Sequence, residues 1–143
     1  MDVYNEPLEL VMLVDDDNTT NYLNERLLRE MKVAKKFVIV KNGREAIDYL
    51  KSAAAGTEGV ISPNLIFLDI KMPVMDGFSF LDEYQKEGLD ASDQVIILML
   101  TSSASFYDLE RLRNYKKVKK HYSKALTKHD VRELMETYFS SKK

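Results

Sequence analysis

The sequence predicts an α/β fold in which five strands alternate with five helices in a single doubly wound domain. Two observations carry this prediction: short apolar runs recur along the chain, and segments with apolar residues at helical spacing lie between them. Strands that are joined by helices pair in parallel through right-handed crossovers. We therefore expect a five-stranded parallel sheet with helices on both faces.

The predicted strands are the apolar runs themselves, each bounded by polar or turn-forming residues. The central run, Leu65–Leu68, is apolar on both alternating faces, as a strand buried between two helical layers would be. The other predicted strands are Leu8–Val14, Phe37–Val40, Val95–Leu100 and a weaker Lys120–Ser123.

The predicted helices follow the strands and place apolar residues on one side. In the first helix, capped by Asn18 or Thr19, the residues expected to face the sheet are Leu23, Leu27, Leu28 and Met31. The second helix follows Gly43 and ends near Gly56, and the third begins near Phe78. The fourth spans roughly Ser105–Tyr115, with Leu109 and Leu112 inward and Arg111 and Arg113 outward. A capping-box spacing from Thr127 to Asp130 opens the fifth.

Composition limits the classes of function. A length of 143 residues predicts one domain, 1–143 with a core of about 8–140, and leaves no room for an attached output domain. A formal charge of −2 offers no general attraction for nucleic acid or an anionic membrane. The chain has no cysteine and no apolar run long enough to span a bilayer, so we expect a cytoplasmic protein.

Asp69 follows the central strand, in a loop where Pro73 stops the strand and Gly77 precedes the next helix. Ligands of open α/β sheets bind at this carboxyl edge. Asp15, Asp16 and Asp17 end the first strand, and three adjacent carboxylates are tolerated mainly when they are solvated or when a cation neutralises them. Clusters of oxygen ligands suit Mg²⁺.

Two further strand ends carry groups that suit phosphate. The fourth strand ends in the hydroxyl run Thr101-Ser102-Ser103, and a hydroxyl can donate to a phosphoryl oxygen. Lys124 follows the fifth strand and supplies a mobile positive charge. Acids, nucleophile, hydroxyl and lysine thus stand in order at four strand ends.

These stretches together resemble the receiver domain of two-component response regulators. The resemblance covers about residues 8–140, and the segments that carry it are Val14-Asp15-Asp16, Asn42–Ala46, Leu65–Gly77, Met99-Leu100-Thr101 and Lys124. It implies a flavodoxin-like fold with strand order 2-1-3-4-5. It also implies a stand-alone, chemotaxis-regulator-like phosphoaspartate switch rather than an enzyme.

Carried over residue by residue, the resemblance implies that Asp69 accepts a phosphoryl group from a histidine kinase or histidine phosphotransfer protein. Asp16 and Asp69 would bind Mg²⁺ directly, with the Lys71 main-chain carbonyl as a third protein ligand and Asp15 acting mainly through water. Lys124 would offset charge during in-line transfer, and Thr101 would bond a phosphoryl oxygen of the product. Asp17 is expected to cap the first helix or to face solvent.

Three alternatives come from other classes of protein. The stretch from Asp15 to Thr19 also fits the opening motif of haloacid-dehalogenase-like phosphatases, with Asp15 as nucleophile and Asp17 as general acid. That scheme lacks the later acidic pair and leaves Asp69 unexplained. A flavin mononucleotide binder is disfavoured because carboxylates stand where its phosphate would lie. The third alternative is a receiver-like binding module that takes no phosphate.

Three departures from the receiver pattern support the binding-module alternative. Ser102 stands where alanine or glycine is usual, His121 replaces an aromatic switch residue, and Ala125 replaces a proline. A cis bond is costly before residues other than proline, so either the loop keeps a strained cis Lys124-Ala125 bond or, as we expect, it relaxes to trans with some displacement of Lys124. If the protein does switch between conformations, Thr101 and His121 are the residues that we expect to move.

The resemblance also places the output on a protein-binding surface formed by the fourth helix, fifth strand and fifth helix. The residues expected on it are Tyr107, Arg111, Tyr115, His121 and Tyr122.

Overall fold

The computed structural model describes residues 7–91, 94–102 and 105–139. Within them a five-stranded parallel sheet has the order β2-β1-β3-β4-β5, which confirms the predicted fold class and strand order. The strands are β1 Leu8–Val14, β2 Ala34–Val40, β3 Leu65–Leu68, β4 Ile96–Thr101 and β5 Val118–Ser123. Ser103, the last residue of the predicted hydroxyl run, lies outside the described residues.

The helices are α1 Asn18–Glu30, α2 Gly43–Ala54, α3 Gly77–Lys86, α4 Phe106–Leu112 and α5 Lys128–Tyr138. A 3-10 turn, Leu89–Ala91, lies between α3 and β4. None of the helices in the described ranges is long and apolar enough to cross a bilayer.

Alternating residues of the three inner strands point to two separate cores. Met12, Ile66 and Met99 contribute to the core beneath α2 and α3, which also contains Ile47 and Phe80. The opposite strand face packs against α1 and α5; its core includes Leu13, Phe67, Leu100, Leu28 and Leu134. Burial on both faces explains why β3 is apolar at every position.

The first helix differs from its prediction. Its buried residues are Thr20, Asn21, Asn24 and Leu28. Leu23 is 43% exposed, so the expectation that it faces the sheet is wrong. The stripe that faces the sheet is rotated toward Asn21 and Asn24, whose amide groups are hydrogen-bonded, and burial is therefore tolerated. The cap is Asp17 rather than Asn18 or Thr19.

Two boundaries and one side chain near the fourth helix also differ. The helix is shorter than predicted, and β5 begins two residues earlier than expected, at Val118. Arg111 does not point simply outward, because its guanidinium carbon lies 4.2 Å from the centre of the Phe78 ring. The predicted capping box of α5, between Thr127 and Asp130, is present.

Candidate functional site

The strand register brings the predicted site residues to one edge of the sheet. Val14 of β1 pairs with Leu68 of β3, so Asp15 and Asp69 emerge side by side. The main-chain N–H of Asp69 donates to the Val14 carbonyl at 3.0 Å. Thr101 pairs with Ser123 at the ends of β4 and β5, which places Lys124 one residue beyond the sheet. Topology alone therefore gathers residues from four separate parts of the sequence.

Lys124 joins the two buried carboxylates. Its Nζ lies 2.7 Å from Asp15 Oδ2 and 3.2 Å from Asp69 Oδ2. The Lys124 main-chain N–H donates to the Thr101 carbonyl at 3.1 Å, which ties the lysine loop to the end of β4. The Lys124-Ala125 peptide bond is cis, so the expectation of a trans bond with a displaced lysine is wrong. The intrinsic preference for a trans bond before alanine does not decide the geometry of this loop. Lys124 lies in direct contact with both acids.

The pKa values of Asp69 and Lys124 are set by burial and by the closeness of Asp15, Asp69 and Lys124. Burial raises the pKa of Asp69, the neighbouring Asp15 raises it further and Lys124 lowers it, leaving a pKa of about 6. For Lys124, burial alone would lower the pKa, but the hydrogen bonds and charges of Asp15 and Asp69 outweigh burial and the net shift is upward. The site therefore holds a charged lysine beside a carboxylate that is ionised at neutral pH.

The acid cluster has the ligand set of a site for a hard divalent cation. Carboxylate oxygens of Asp15, Asp16 and Asp69 all lie within 4.8 Å of one another. Asp15 and Asp69 are buried, whereas Asp16 is exposed and open to an entering ion. Three carboxylates against one lysine leave an excess of two negative charges, which fits Mg²⁺. Lys71 follows Asp69 by two residues in the same loop, and its carbonyl stays a predicted ligand.

The candidate switch residues occupy two different environments. Thr101 is buried at the end of β4, beside the lysine loop, and Ser102 is exposed. His121 is exposed and pairs with Met99 across β4 and β5. It also lines a surface cavity of about 250 Å³, together with Leu109, Leu112, Arg113, Val118, Lys119 and Lys120.

Asp17 does not take part in the acid cluster. Its carboxylate accepts a hydrogen bond of 2.5 Å from the Thr20 hydroxyl. This bond lowers the pKa of Asp17, so the residue is ionised and unsuited to be the general acid of a phosphatase. The prediction that Asp17 lies at the helix cap or faces solvent is confirmed.

Sequence reasoning missed two residues that shape the site, Asn21 and Asn24, and for Gly77 it predicted turn freedom rather than a close approach to the backbone. An added Cβ at Gly77 would lie 2.4 Å from the Asp69 carbonyl oxygen, so only glycine lets α3 start against the backbone of Asp69. The Asn21 Nδ2 group donates to the Asp15 carbonyl at 2.8 Å, and Asn24 Oδ1 accepts from the Leu126 N–H at 3.1 Å. The only signal was two asparagines three residues apart in a helix, where that residue type is unfavourable.

Comparison with known proteins agrees with this geometry. The family model of the response regulator receiver domain matches residues 11–138, and the chain therefore belongs to the response regulator receiver domain family. Neither the phosphatase alternative nor the module that takes no phosphate is favoured by these findings. A receiver domain is a phosphoacceptor switch rather than a conventional enzyme.

Individual relatives are more distant. The probable methanogenesis regulatory protein FilR2 of Methanothrix harundinacea is 28% identical over 103 residues, which are 71% of this chain and 63% of FilR2. This chain thus covers less than two thirds of that relative. A two-component response regulator from Cytophaga hutchinsonii has a similar structure, with a TM-score of 0.82, 26% identity and coverage of 93% of this chain and 98% of that one. The Mn²⁺-bound response regulator Rcp1 has a TM-score of 0.69, 23% identity and 90% coverage of both chains.

Proposed function

We propose that this receiver accepts a phosphoryl group on Asp69 from a phosphohistidine, with Mg²⁺, and passes the signal to a protein partner. The observation that carries the proposal is the contact of one lysine with two buried carboxylates, Asp15 and Asp69, beside the exposed Asp16. This arrangement offers a nucleophile, a cation site and a mobile positive charge within one small region of the sheet edge.

The chemical step is a transfer between two nucleophiles. An oxygen of the Asp69 carboxylate attacks phosphorus and forms the new P–O bond, while the P–N bond to the donor imidazole breaks and its electron pair returns to the ring nitrogen. The product is an acyl phosphate. Asp69 must be ionised to attack, and its pKa of about 6 leaves it ionised at neutral pH while keeping it more basic than an ordinary aspartate.

The negative charge of the site is the main obstacle to an incoming phosphoryl group. When bound, Mg²⁺ would reduce that charge and hold a phosphoryl oxygen. Asp16 and Asp69, with the Lys71 carbonyl, are the proposed direct ligands, and Asp15 is proposed to act mainly through water. The structurally similar response regulator Rcp1 has been solved in a Mn²⁺-bound form, which supports divalent-ion binding by a protein of this fold. The proposed role of Lys124 is to shift from carboxylate contacts toward a phosphoryl oxygen.

The proposed phosphodonor is a histidine kinase or a histidine phosphotransfer protein. Exposed apolar side chains lie on segments that begin at the same sheet edge as Asp69. Tyr22 and Leu23 lie in the first turns of α1, Val74 lies in the β3–α3 loop and Phe106 begins α4; they are 62%, 43%, 82% and 78% exposed. We call these four residues the apolar rim. Large apolar side chains that stay exposed on one side of a protein are typical of a protein-binding surface.

The proposed output surface is formed by α4, β5 and α5. Tyr107 and His121 are exposed there and are suited to contact a partner. Tyr122 is buried and its hydroxyl donates to Glu133, so its expected place on the surface is wrong. The proposed switch draws Thr101 toward the phosphoryl group and moves His121 toward the space that opens.

Labelling with a small phosphodonor tests the proposal directly. Incubation with phosphoramidate and Mg²⁺ is expected to add one phosphoryl group, measured by intact mass, and removal of the metal with a chelator is expected to stop the reaction. Asp16→Asn is expected to abolish labelling, whereas the matched variant Asp17→Asn keeps it, since Asp17 bonds to Thr20. Labelling that is independent of metal, or equal loss in both variants, would contradict the proposed cation site.

A further inference from the structure

The inner face of α1 presents two buried amides to the site. Asn21 and Asn24 are only 3% and 1% exposed, and their spacing of three residues puts them on one side of the helix. They line a narrow cavity with no room for a water molecule, together with Asp15, Asp69, Leu13, Val14, Phe67 and Leu100. Buried amides at a helix–sheet interface are costly unless their hydrogen bonds are specific.

The partners of these amides lie on two different loops. Asn21 donates from Nδ2 to the carbonyl oxygen of Asp15, at the end of β1. Asn24 accepts through Oδ1 from the main-chain N–H of Leu126, two residues beyond Lys124. Residues 24 and 126 are 102 positions apart in sequence. One helix face therefore holds both the loop that carries the acids and the loop that carries the lysine.

We infer that Asn24 is a positioning residue for Lys124, and that with Asn21 it sets the distance between the lysine and the carboxylates. The inference rests on the proposed function, because it concerns the same phosphorylation site. The lysine loop is held at two main-chain points on either side of the Lys124-Ala125 bond: Lys124 N–H donates to Thr101, and Leu126 N–H donates to Asn24. Without the second point, the hydrogen bonds that restrain the lysine within the described residues are the Lys124 N–H bond and the ammonium contacts with Asp15 and Asp69, beside the packing of the buried Leu126 side chain.

We call the hydrogen bond from the Leu126 N–H to Asn24 the tether of the lysine loop. It matters most when the Lys124 ammonium leaves Asp15 and Asp69. In the structure Lys124 contacts Asp15 and Asp69, and both contacts must change when a phosphoryl group arrives. The Asn24 bond is to the main chain, so it persists while the side chain moves. It confines the lysine to the short range of positions from which it reaches either a carboxylate or a phosphoryl oxygen.

Phosphorylation kinetics of a double mutant separate positioning from general stability. Phosphoramidate labelling with Mg²⁺ is compared for the parent, Asn24→Leu, Lys124→Ala and the double variant. We expect Asn24→Leu to slow labelling roughly tenfold and to add no further loss when Lys124 is already absent. Leu28→Ala, on the same face of α1 one turn later, is the matched control because it removes buried apolar atoms and no hydrogen bond to either loop. It is expected to destabilise the fold and leave the labelling rate unchanged.

Amide hydrogen exchange provides a second readout that does not depend on phosphorylation. In Asn24→Leu the Leu126 N–H is expected to exchange faster, while amides of β1 and β3 keep their protection. Asn24→Ala replaces the first variant if Asn24→Leu does not fold. Multiplicative losses in the double variant, or an unchanged Leu126 amide, would overturn the inference. Failure of the parent to become labelled would instead overturn the proposed function, and the exchange measurement would still decide whether the tether exists.

Discussion

Three influences set the pKa of the Asp69 carboxyl group. Burial and the neighbouring Asp15 raise its pKa, and Lys124 lowers it, with a net value of about 6 against an ordinary 3.8. The folded protein without metal therefore keeps a charge that its environment disfavours. Such destabilisation at one residue is typical of a site selected for reactivity rather than stability.

This balance predicts a pH-dependent stability of the metal-free protein. Between pH 4 and 6 the folded state binds more protons at Asp69 than the unfolded state does, so this residue's contribution to stability falls as pH rises through that window. Asp69→Asn is expected to increase the free energy of unfolding at pH 7 by roughly 1 kcal/mol, a figure reduced for screening by solvent. At pH 4 the gain should vanish.

Urea unfolding at the two pH values, in the presence of a chelator, measures this effect. Asp48→Asn changes an exposed carboxylate that pairs with Arg44 on the surface of α2, and it is the control for a general charge effect. An equal stability gain at both pH values for Asp69→Asn would show that the buried charge is not its origin.

At the residue scale, sequence reasoning could place the residues that belong to a motif, but it missed the contacts that arise only from packing. Asp15, Asp16, Asp69 and Lys124 could be predicted because they follow apolar runs in a specific order. The role of Gly77 could not, because its closeness to the Asp69 carbonyl arises only when α3 docks on β3. The cis geometry of Lys124-Ala125 was missed because intrinsic preference favours trans.

At the scale of elements, α1 has two differing sides, to which we assign two proposed roles. Its inner face holds the site loops through amides, and its outer face contributes Tyr22 and Leu23 to the apolar rim. A hydrophobic pattern assigns every leucine to the core, and Leu23 was therefore predicted to be buried. Its exposure instead agrees with a docking role for the outer face.

Leu23→Asp tests that docking role. The substitution places a charge in the apolar rim without disturbing the core, so we expect phosphotransfer from a phosphohistidine protein to slow roughly tenfold while phosphoramidate labelling stays unchanged. Time courses of phosphorylation with each donor, on one preparation of the protein, measure the two labelling rates. Equal loss with both donors would place the defect in the site itself and contradict the assignment of the rim.

The packing of α3 gives a matched pair of tyrosines. The ring of Tyr84 is buried and stacks near Phe80, with ring centroids 5.6 Å apart, but its hydroxyl has no hydrogen-bond partner among the described residues. Burial, followed by the charge of Asp90, raises the pKa of Tyr84 to about 12. Tyr115, which follows α4, donates its hydroxyl to Asp82 of α3 at 2.8 Å.

These environments predict opposite effects of the same substitution. Tyr84→Phe is expected to leave the free energy of unfolding unchanged or raise it by up to about 1 kcal/mol, whereas Tyr115→Phe is expected to lower it by about 0.5–1.5 kcal/mol. Chemical denaturation of both variants measures the difference. A clear loss of stability in Tyr84→Phe would reveal a hydrogen bond to its hydroxyl.

At the scale of the whole molecule, the topology of the sheet is the feature that sequence reasoning could predict best. Alternating apolar strands and amphipathic helices predict a doubly wound sheet, and the order β2-β1-β3-β4-β5 places β1 and β3 side by side at its centre. The first and third strand ends therefore meet, and with them Asp15 and Asp69. What sequence could not supply is the rotation of each helix, since that is decided by contacts with distant loops such as Asn24 with Leu126.

The measurement that tests the central claim most directly is the location of the acyl phosphate. After labelling with phosphoramidate and Mg²⁺, borohydride reduction converts a phosphorylated aspartate to homoserine, which peptide mass spectrometry assigns to one position. We predict conversion at Asp69 alone, and no conversion in a folded Asp69→Asn variant. Conversion at Asp15, or labelling that persists in Asp69→Asn, would contradict the assignment of Asp69 as the phosphoacceptor.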